Sequence, residues 1–425
     1  NKMSFNKNKI KDLDQNDPLS KYQSEFQVSD IDLCYLDGNS LGRLPLRTVD
    51  KITSFLKEEW GKQLVEGWED WINEAQKSGD LLAKNILGAN AGEVLVCDTT
   101  SINFYQLCSA VVRANPNRNK IITDSANFPT DRYILEGIAD QYGLELIFID
   151  NENVNDQEYE RITAADLEPY MSDGVSLVTF QVLQYRSGSL NPIKEITELV
   201  ESYGAMIVWD ASHAAGSVDL DFKKNNIDLA VGCTYKYLCA GPGSPAWLYV
   251  SKKLQNKLNV PIQGWFAQED QFGMGPEFEK SPDIRGFQIA SPSLLGIRCV
   301  NASIELIEEA GMSEIIKKAQ KGTDLMIDLY DDWLADLGFE LMTSRNAKRR
   351  GGHISLMHKH AKKISVALRK FERVIVDYRI PDQIRIAISP LAMTYDEVYR
   401  GMKKIRESVI RNDYLKVDNN VSEVT

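Results

Sequence analysis

The sequence predicts an α/β fold, in which a large domain with a mainly parallel sheet is followed by a smaller α+β domain. Two patterns carry this prediction. From about residue 50 to residue 260, short β-rich apolar runs alternate with amphipathic, helix-like stretches, an alternation typical of a parallel sheet covered by helices. After about residue 290, short strands stand between longer helical stretches, which is typical of an α+β domain.

The predicted elements follow in order along the chain. Seven short runs are predicted strands: 93–97, 120–124, 144–150, 175–182, 205–210, 229–233 and 246–250. Predicted helices cover 102–113, 129–143 and 192–204, and the last of these opens with proline and closes on glycine, as helices do. In the second half we expect a long helix over 312–337, strands at 353–356, 373–378 and 383–388, and a final helix over 395–410.

A chain of 425 residues is long enough for two domains. We expect residues 1–50 to form an N-terminal arm that joins the small domain. Residues 51–290 would then form the large domain, and residues 291–425 the C-terminal small domain. The polar start of the arm and the last eight residues are expected to be partly disordered.

The bulk composition is that of a globular protein, with 43% apolar and 26% charged residues. A net charge of −12 argues against nucleic acid as a partner. We find neither an apolar run of about 18 residues nor an apolar core at the N-terminus, so we predict no membrane span, no signal peptide and a cytoplasmic location. The six scattered cysteines are expected to be reduced, and no histidine spacing suggests a metal site.

A carboxylate and a lysine follow two neighbouring predicted strands. Asp210 ends the first of them, and Lys236 comes just after the second, before a turn rich in glycine and proline. Ligands bind at the carboxyl ends of such strands. A lysine that forms a Schiff base and a carboxylate that keeps a pyridine nitrogen protonated are what pyridoxal phosphate requires. The alternatives are a solvated lysine and an ordinary helix-capping aspartate.

Hydroxyl groups stand at the predicted start of the helix that follows the first strand. Thr99, Thr100 and Ser101 open it, and the free N–H groups and dipole of a helix start favour a phosphate group. The alternative is that these residues only cap the helix. Phe128 follows the next strand, where an aromatic ring can stack on a pyridine ring.

Arg385 lies inside an apolar strand-like run of the small domain, in Gln-Ile-Arg-Ile-Ala-Ile. An arginine flanked by isoleucines is expected to point toward a carboxylate, since its guanidinium forms paired hydrogen bonds with carboxylate oxygens. That carboxylate could belong to a substrate. The alternative is an ion pair within the protein.

Together these motifs resemble those of kynureninases, in order, from about residue 30 to residue 410. The segments that carry the resemblance are Asp37-Gly-Asn-Ser40-Leu-Gly, Asn127-Phe-Pro-Thr-Asp131, Tyr185-Arg-Ser-Gly188, Trp209-Asp-Ala-Ser-His213, Val231-Gly-Cys-Thr-Tyr-Lys-Tyr-Leu, Arg350-Gly-Gly-His353-Ile-Ser-Leu and Ile384-Arg385-Ile-Ala-Ile-Ser-Pro. The resemblance implies the fold-type-I, aspartate-aminotransferase-like fold of pyridoxal-phosphate enzymes, with residues 51–290 binding the cofactor. It also implies a homodimer whose active sites lie at the subunit interface.

The resemblance assigns roles to individual residues. It implies that Lys236 is the Schiff-base lysine, that Asp210 is the partner of the pyridine nitrogen and that Tyr235 is a catalytic proton donor near the phosphate. Further implied cofactor contacts are Ser40, Thr100, Ser101, Phe128, Thr130, Asp131, His213 and Trp265. Arg385 would bind the substrate carboxylate, and Trp68 and Ser291 would line the pocket for its aryl end.

Four positions depart from the kynureninase pattern. Ala267 and Gln268 replace glycine and histidine, Gln181 stands where a serine is usual, and Ala392 replaces a tyrosine. These changes fall where groups around the substrate are expected. They leave open a related enzyme that acts on another β- or γ-substituted amino acid.

The sequence therefore predicts hydrolysis of the Cβ–Cγ bond of L-kynurenine, 3-hydroxy-L-kynurenine or both, in tryptophan catabolism. The products would be L-alanine and anthranilate or 3-hydroxyanthranilate. The alternatives are a lyase for another amino acid and a cofactor-binding protein without catalysis. The catalytic lysine, the aspartate and the arginine argue against the last of these, since binding alone does not need them together.

Overall fold

The structure is a computed structural model and describes residues 7–152 and 159–418. Its strands are β1 Cys34–Tyr35, β2 Val94–Val96, β3 Lys120–Asp124, β4 Glu145–Ile149, β5 Val175–Gln181, β6 Met206–Asp210, β7 Leu229–Gly232, β8 Trp247–Val250, β9 Glu340–Leu341, β10 His353–Met357, β11 Val374–Ile375, β12 Asp377–Arg379 and β13 Gln383–Ala387. Its α-helices are α1 Lys7–Gln15, α2 Leu46–Ser54, α3 Gly61–Gln63, α4 Trp68–Trp71, α5 Glu74–Leu82, α6 Thr100–Ala114, α7 Pro129–Tyr142, α8 Ala164–Leu167, α9 Ile193–Ser202, α10 Lys252–Gln255, α11 Leu294–Ala310, α12 Met312–Leu329, α13 Ala361–Ala367 and α14 Tyr395–Ile410.

Shorter helical turns of other geometry connect these elements. The 3₁₀ turns are Ser20–Glu25, Leu64–Gly67, Glu168–Tyr170, Trp265–Ala267, Ile284–Phe287, Ala335–Leu337, Ala347–Arg349 and Asp413–Lys416, and the π turns are Phe55–Trp60, Ala83–Leu87, Tyr330–Leu334 and Leu368–Glu372.

The large sheet has seven strands in the order β2-β8-β7-β6-β5-β3-β4. Only β8 runs antiparallel to its neighbours, so the sheet is mainly parallel, as predicted. All seven predicted strands are confirmed, with ends that move by at most one residue. In β5 every side chain is buried, because helices cover both faces of the sheet and leave neither to water.

The small sheet is antiparallel and has the order β12-β13-β10-β9. The predicted strands at 353–356 and 383–388 are confirmed, but the predicted run 373–378 is two strands in two sheets. Val374–Ile375 pairs in parallel with β1, whereas Asp377–Arg379 pairs with β13. The run divides because its backbone changes partner at Val376.

The predicted helices are largely confirmed. The helix at 102–113 begins two residues earlier, at Thr100, and α7, α9 and α14 match their predictions closely. The stretch 312–337 is α-helical only as far as Leu329 and continues as the π and 3₁₀ turns that end before Gly338, where φ is +88°. Helix α11 was not predicted from the sequence. Among the described residues, no helix is long and apolar enough to cross a membrane.

The N-terminal segment packs on elements from the other end of the chain. Asp14 accepts hydrogen bonds from the first N–H groups of α14, at Tyr395 (2.8 Å) and Asp396 (3.1 Å). Asp17 forms an ion pair of 2.8 Å with Lys318, and both side chains are almost fully buried. These contacts agree with an arm that joins the small domain, while the three domain ranges stay predictions. The predicted disorder falls partly on residues 1–6 and 419–425, which lie outside the described part of the chain.

We expect Lys318→Met to lower the free energy of unfolding by about 3–5 kcal/mol, because the buried Asp17 carboxylate would lose its partner. Urea denaturation followed by circular dichroism measures this change. The double variant Asp17→Asn/Lys318→Met is the control and should regain much of the loss, because no charge is then left unpaired. An unchanged unfolding midpoint in Lys318→Met would show that the pair does not anchor the arm.

Candidate active site

The carboxyl edge of the large sheet brings together the two residues that the cofactor prediction depends on. Asp210 ends β6 and pairs in register with Gln181 of β5 on one side and Val231 of β7 on the other. Lys236 follows the end of β7 by four residues. Asp210 is 6% exposed, and its Oδ1 accepts a hydrogen bond of 2.9 Å from the Ser212 N–H.

Asp131 forms a pair of carboxyl groups with Asp210. Burial raises the pKa of Asp131 well above its ordinary value, and the negative charge of Asp210 and the hydrogen bond between the two side chains raise it further. The neutral form of Asp131 is therefore favoured in this position. Lys236 lies close enough to oppose part of the rise in the Asp131 pKa.

Tyr235 and Lys236 lie side by side on the loop after β7. The Lys236 Nζ is 5.0 Å from the centre of the Tyr235 ring. The loop is held in place because Thr234 Oγ1 donates a hydrogen bond of 2.8 Å to the Pro245 carbonyl, and the Gly42 N–H donates one of 2.9 Å to the Tyr235 carbonyl. Burial raises the pKa of Tyr235, so its phenol stays protonated and can donate a proton.

His213 completes this part of the edge. Burial lowers the pKa of His213 well below its ordinary value, and the charges of Lys236 and Arg385 lower it further. The imidazole is therefore neutral. Its Nδ1 is buried and has no hydrogen-bond partner.

The predicted phosphate seat lies at the start of a 15-residue helix, α6. Thr99 caps this helix, because its Oγ1 accepts a hydrogen bond of 3.2 Å from the Ile102 N–H. Thr99 therefore caps the helix, as the alternative interpretation of these hydroxyl groups predicted. Thr100 is half-buried and Ser101 is exposed in the first turn, where helix N–H groups have no acceptor within the helix.

Phe128 and Thr130 lie at the start of α7, next to Asp131. Both are half-buried. The Phe128 ring packs edge-on against the Tyr185 ring, with the two centres 5.1 Å apart. The contact fixes the Phe128 ring beside the edge of the sheet, and its stacking on the cofactor stays a prediction.

Arg385 is fully buried in β13 and is already paired with a carboxylate of the protein. Its Nε donates a hydrogen bond of 2.7 Å to Asp377 Oδ1, and its Nη2 donates one to Asp377 Oδ2. Arg385 therefore forms an ion pair within the protein, which is the alternative to substrate binding that the sequence left open. Ser40 lies on this pair, and its Oγ donates a hydrogen bond of 2.5 Å to Asp377 Oδ2; its contact with the cofactor stays a prediction.

Three predicted site residues stand apart from this group. Trp68 packs edge-on against Trp71, with ring centres 5.6 Å apart. Trp265 is 47% exposed, and its Nε1 donates a hydrogen bond of 2.7 Å to the Gln271 carbonyl. Ser291 is exposed in the segment before α11. These contacts do not bring the three side chains to Asp210 or Lys236, and their roles stay predictions.

The residues at the edge fit pyridoxal phosphate. Two buried polar atoms at the edge, His213 Nδ1 and Asp131 Oδ2, have no hydrogen-bond partner, and a buried polar group normally has one. A polar ring seated here could satisfy both, and the free N–H groups at the start of α6 could receive its phosphate. In the described ranges 7–152 and 159–418, no group of three or more histidine, cysteine, aspartate or glutamate side chains is arranged to hold a metal ion.

Asp377 is a site residue that sequence reasoning missed. It lies directly opposite Arg385 in the register of β12 and β13. The signal was an acid eight residues before the arginine, with Pro381 between them, as in a hairpin that pairs the two. The predicted strand 373–378 obscured this signal, because it ended before the turn and was not divided at Val376.

The sequence is similar to known proteins along most of its length. Residues 315–405 match the family model of the kynureninase C-terminal domain. A kynureninase from Pseudomonas fluorescens is 33% identical over 411 residues, which is 95% of this chain and 95% of that protein. A kynureninase from Deinococcus radiodurans is 31% identical over 400 residues, or 92% of this chain and 94% of that protein.

Solved structures confirm the fold. A cysteine desulfurase from Thermococcus onnurineus NA1 has a TM-score of 0.77 at 19% identity and covers 94% of this chain and 98% of its own. A C-DES variant with glycine covalently linked to its pyridoxal-phosphate cofactor has a TM-score of 0.78 at 16% identity and covers 89% of this chain and 97% of its own. The fold is that of these fold-type-I enzymes, and the full-length sequence similarity shows that the chain belongs to the kynureninase family.

Proposed function

We propose that this protein is a pyridoxal-phosphate-dependent hydrolase that cleaves the Cβ–Cγ bond of L-kynurenine, 3-hydroxy-L-kynurenine or both. The products are L-alanine and anthranilate or 3-hydroxyanthranilate, which places the enzyme in tryptophan catabolism. The observation that carries the proposal is the meeting of Lys236 and Asp210 at one edge of the sheet in a chain of the kynureninase family.

Pyridoxal phosphate, when bound, supplies an electron sink for the charge that develops on the substrate as its bonds break. Lys236 would anchor the cofactor covalently, and Asp210 would hold the proton on the pyridine nitrogen. The raised pKa of Asp131 favours its neutral form, so Asp210 would be the carboxylate that faces that nitrogen. A second negative charge in this buried position would have no partner and would be costly.

Two side chains next to each other on the loop after β7 move protons. With substrate bound, the Lys236 amine would be the base that removes the proton from the substrate Cα. Tyr235 has a pKa raised by burial, and its protonated phenol would be the proton donor. Water adds to the γ-carbonyl, and the Cβ–Cγ bond then breaks: its electron pair stays on Cβ, where a proton is added to give L-alanine, and the aryl acid leaves with the added hydroxyl.

The substrate lies between the large sheet and the small domain. Arg385 binds the α-carboxylate, while Trp68 and Ser291 line the pocket for the aryl end. Phe128 stacks on the cofactor ring, and Thr100, Ser101 and the helix start bind its phosphate. The remaining implied cofactor contacts are Ser40, Thr130, His213 and Trp265.

We propose that the enzyme is a homodimer whose active sites lie at the subunit interface. Large apolar side chains are exposed in two segments, at 60–65 and 265–274, and include Val65 (78%) and Met274 (68%). Exposed apolar patches of this kind are typical of protein interfaces. Trp265 lies in the second segment, so a cofactor contact from this tryptophan would be made to the other subunit.

We propose a cytoplasmic location on the basis of the thiols. All six cysteines are free, as is usual in a reducing compartment.

One observation favours a second candidate, a related lyase for another substituted amino acid. Gln181 is buried at the end of β5, directly opposite Asp210, so a long amide side chain lies next to the reacting groups. Gln268 is not in that position, because both ends of its side-chain amide bind the loop backbone at Glu277 and Glu279. Of these two glutamines, Gln181 is thus the one placed to change the choice of substrate.

We expect the purified protein with pyridoxal phosphate to convert L-kynurenine or 3-hydroxy-L-kynurenine into equal amounts of L-alanine and the aryl acid. Liquid chromatography measures both products. If the cofactor spectrum responds to amino acids while both kynurenines remain uncleaved, the second candidate is favoured. A protein that does not bind pyridoxal phosphate would contradict both candidates.

We expect Lys236→Ala to lose the covalent link to the cofactor and about a thousandfold or more of the activity, because both the anchor and the base are removed. Mass spectrometry after borohydride reduction detects the link. The control is Lys224→Ala, an exposed lysine on the same part of the chain, which should keep the link and the activity. A reduced adduct of full yield in Lys236→Ala would show that another residue holds the cofactor.

We expect Val65→Glu to weaken the dimer and lower the activity, because a charge would be buried in the interface. Sedimentation equilibrium should give twice the chain mass for the unchanged protein and a smaller value for the variant. Phe371→Glu, which alters an exposed side chain of the small domain, is the control and should remain dimeric. A monomeric, active unchanged protein would rule out shared active sites.

A further inference from the structure

The guanidinium of Arg385 is held on one edge by a single carboxylate. Arg385 and Asp377 are both fully buried and stand opposite each other in neighbouring strands. The Nε and Nη2 atoms bind the two oxygens of Asp377 side-on. A paired, charge-assisted contact of this kind fixes both the position and the plane of a guanidinium.

The N–H groups of the guanidinium differ in whether they already have an acceptor in the protein. Arg385 has five N–H groups. Nε donates its one hydrogen to Asp377. Nη2 donates one hydrogen to Asp377 and the other to Ser40 Oγ (3.2 Å). Nη1 donates one of its two hydrogens to the Tyr185 carbonyl (2.8 Å). A carboxylate that binds the Nη1–Nη2 edge needs one N–H from each nitrogen. The hydrogen bond from Nη2 to Ser40 would therefore have to break, while the hydrogen bonds to Asp377 could remain.

Ser40 also covers the arginine. Arg385 has no exposed surface, whereas Ser40 is partly exposed. The Ser40 hydroxyl gives its own hydrogen to Asp377 Oδ2 and so accepts from Nη2 with an oxygen lone pair. It thereby occupies the position that one oxygen of an incoming carboxylate would take.

The positive charges around Arg385 are not fully balanced within the protein, and one more negative group would balance them. Burial raises the pKa of Asp37 to about 8, and the neighbouring Asp377 contributes to this, so Asp37 is mostly neutral at pH 7. Burial alone would raise the pKa of Asp377, but the charge and hydrogen bonds of Arg385 outweigh it and hold that pKa below its ordinary range. Arg379, 3.6 Å from Asp377, adds a second cation.

The neighbouring histidine does not alter this balance. Burial and the charge of Arg385 lower the pKa of His353 to about 3, so its ring is neutral. Two guanidinium groups and one carboxylate therefore leave one positive charge. One substrate carboxylate would balance it.

We propose that Asp377 is a positioning residue for substrate binding: it fixes Arg385 by its Nε edge and leaves the Nη1–Nη2 edge to the α-carboxylate of the substrate, which displaces the Ser40 hydroxyl. The inference rests on the proposed role of Arg385. It adds to that role the reason why a fully buried, already paired arginine can still receive a substrate.

The test compares L-kynurenine with its decarboxylated amine, which lacks only the α-carboxylate, as ligands of the holoenzyme. Absorbance changes of the bound cofactor give the dissociation constant of each ligand. In Asp377→Asn we expect the preference for the carboxylate-bearing ligand to fall by about tenfold to a hundredfold, from the loss of a charge-assisted contact that orients Arg385. Affinity for pyridoxal phosphate, measured separately by fluorescence, should stay the same.

Asp37→Asn is the matched comparison, because it alters the other buried carboxyl group of the same cluster. Asp37 is mostly neutral at pH 7, so its replacement by a neutral amide should change the preference by less than about threefold. Ser40→Ala provides a second test should Asp377→Asn fold poorly. Its preference for L-kynurenine over the decarboxylated amine should be at least as great as that of the unchanged enzyme, because the carboxylate no longer competes with the hydroxyl; a lost cofactor contact would affect both ligands alike.

The outcomes separate the two proposals. If Arg385→Lys keeps the full preference for the carboxylate, the proposed role of Arg385 is wrong. If Arg385→Lys loses the preference while Asp377→Asn keeps it or increases it, Arg385 binds the substrate without the positioning role of Asp377, and the further inference is overturned. A smaller preference for the carboxylate-bearing ligand in Ser40→Ala would also overturn it.

Discussion

Burial of charge is the constraint on which the site depends. A carboxylate removed from water must be paired or lose its charge, and the structure meets this condition twice in the same way. Burial raises the pKa of Asp131 well above its ordinary value beside Asp210, and Asp37 is mostly protonated at pH 7 beside the charged Asp377. The negative charge of the second pair has Arg385 as its partner, and the partner that we propose for Asp210 is the pyridine nitrogen.

Asp210 lies in the large sheet and Asp377 in the small one, so the proposed chemistry depends on how the small sheet packs against the large one. The glycines of the Arg350-Gly-Gly-His353 segment allow a close approach, since a Cβ on Gly352 would lie 2.7 Å from the Tyr237 ring. Hydrogen bonds cross the same boundary, from Thr343 Oγ1 to the Ser187 carbonyl (2.7 Å) and from the Leu190 N–H to the Arg349 carbonyl (2.9 Å). These contacts between the two parts of the chain set the distance between Arg385 and Asp210.

What the sequence could predict was local. Asp210 ends one apolar strand and Lys236 comes four residues after the next, so their common edge follows from the rule for parallel sheets. Asp377 could not be found in this way, because its role depends on a hairpin register and on a strand that changes partner at Val376. The placement of Ser40 on Arg385 depends on contacts between distant parts of the chain, which no spacing in the sequence records.

The joining of the N-terminal segment to the end of the chain has a consequence for synthesis. Strand β1 pairs with β11, and Asp14 binds the start of α14, so an early segment of the chain pairs with segments that are synthesised much later. The large sheet, by contrast, is complete once β8 has emerged. Contacts between distant residues form slowly, and the arginine pocket is therefore the last part of the active site to be assembled. In a nascent chain, the loop that carries Lys236 is therefore formed well before the pocket around Arg385, which we propose binds the amino acid.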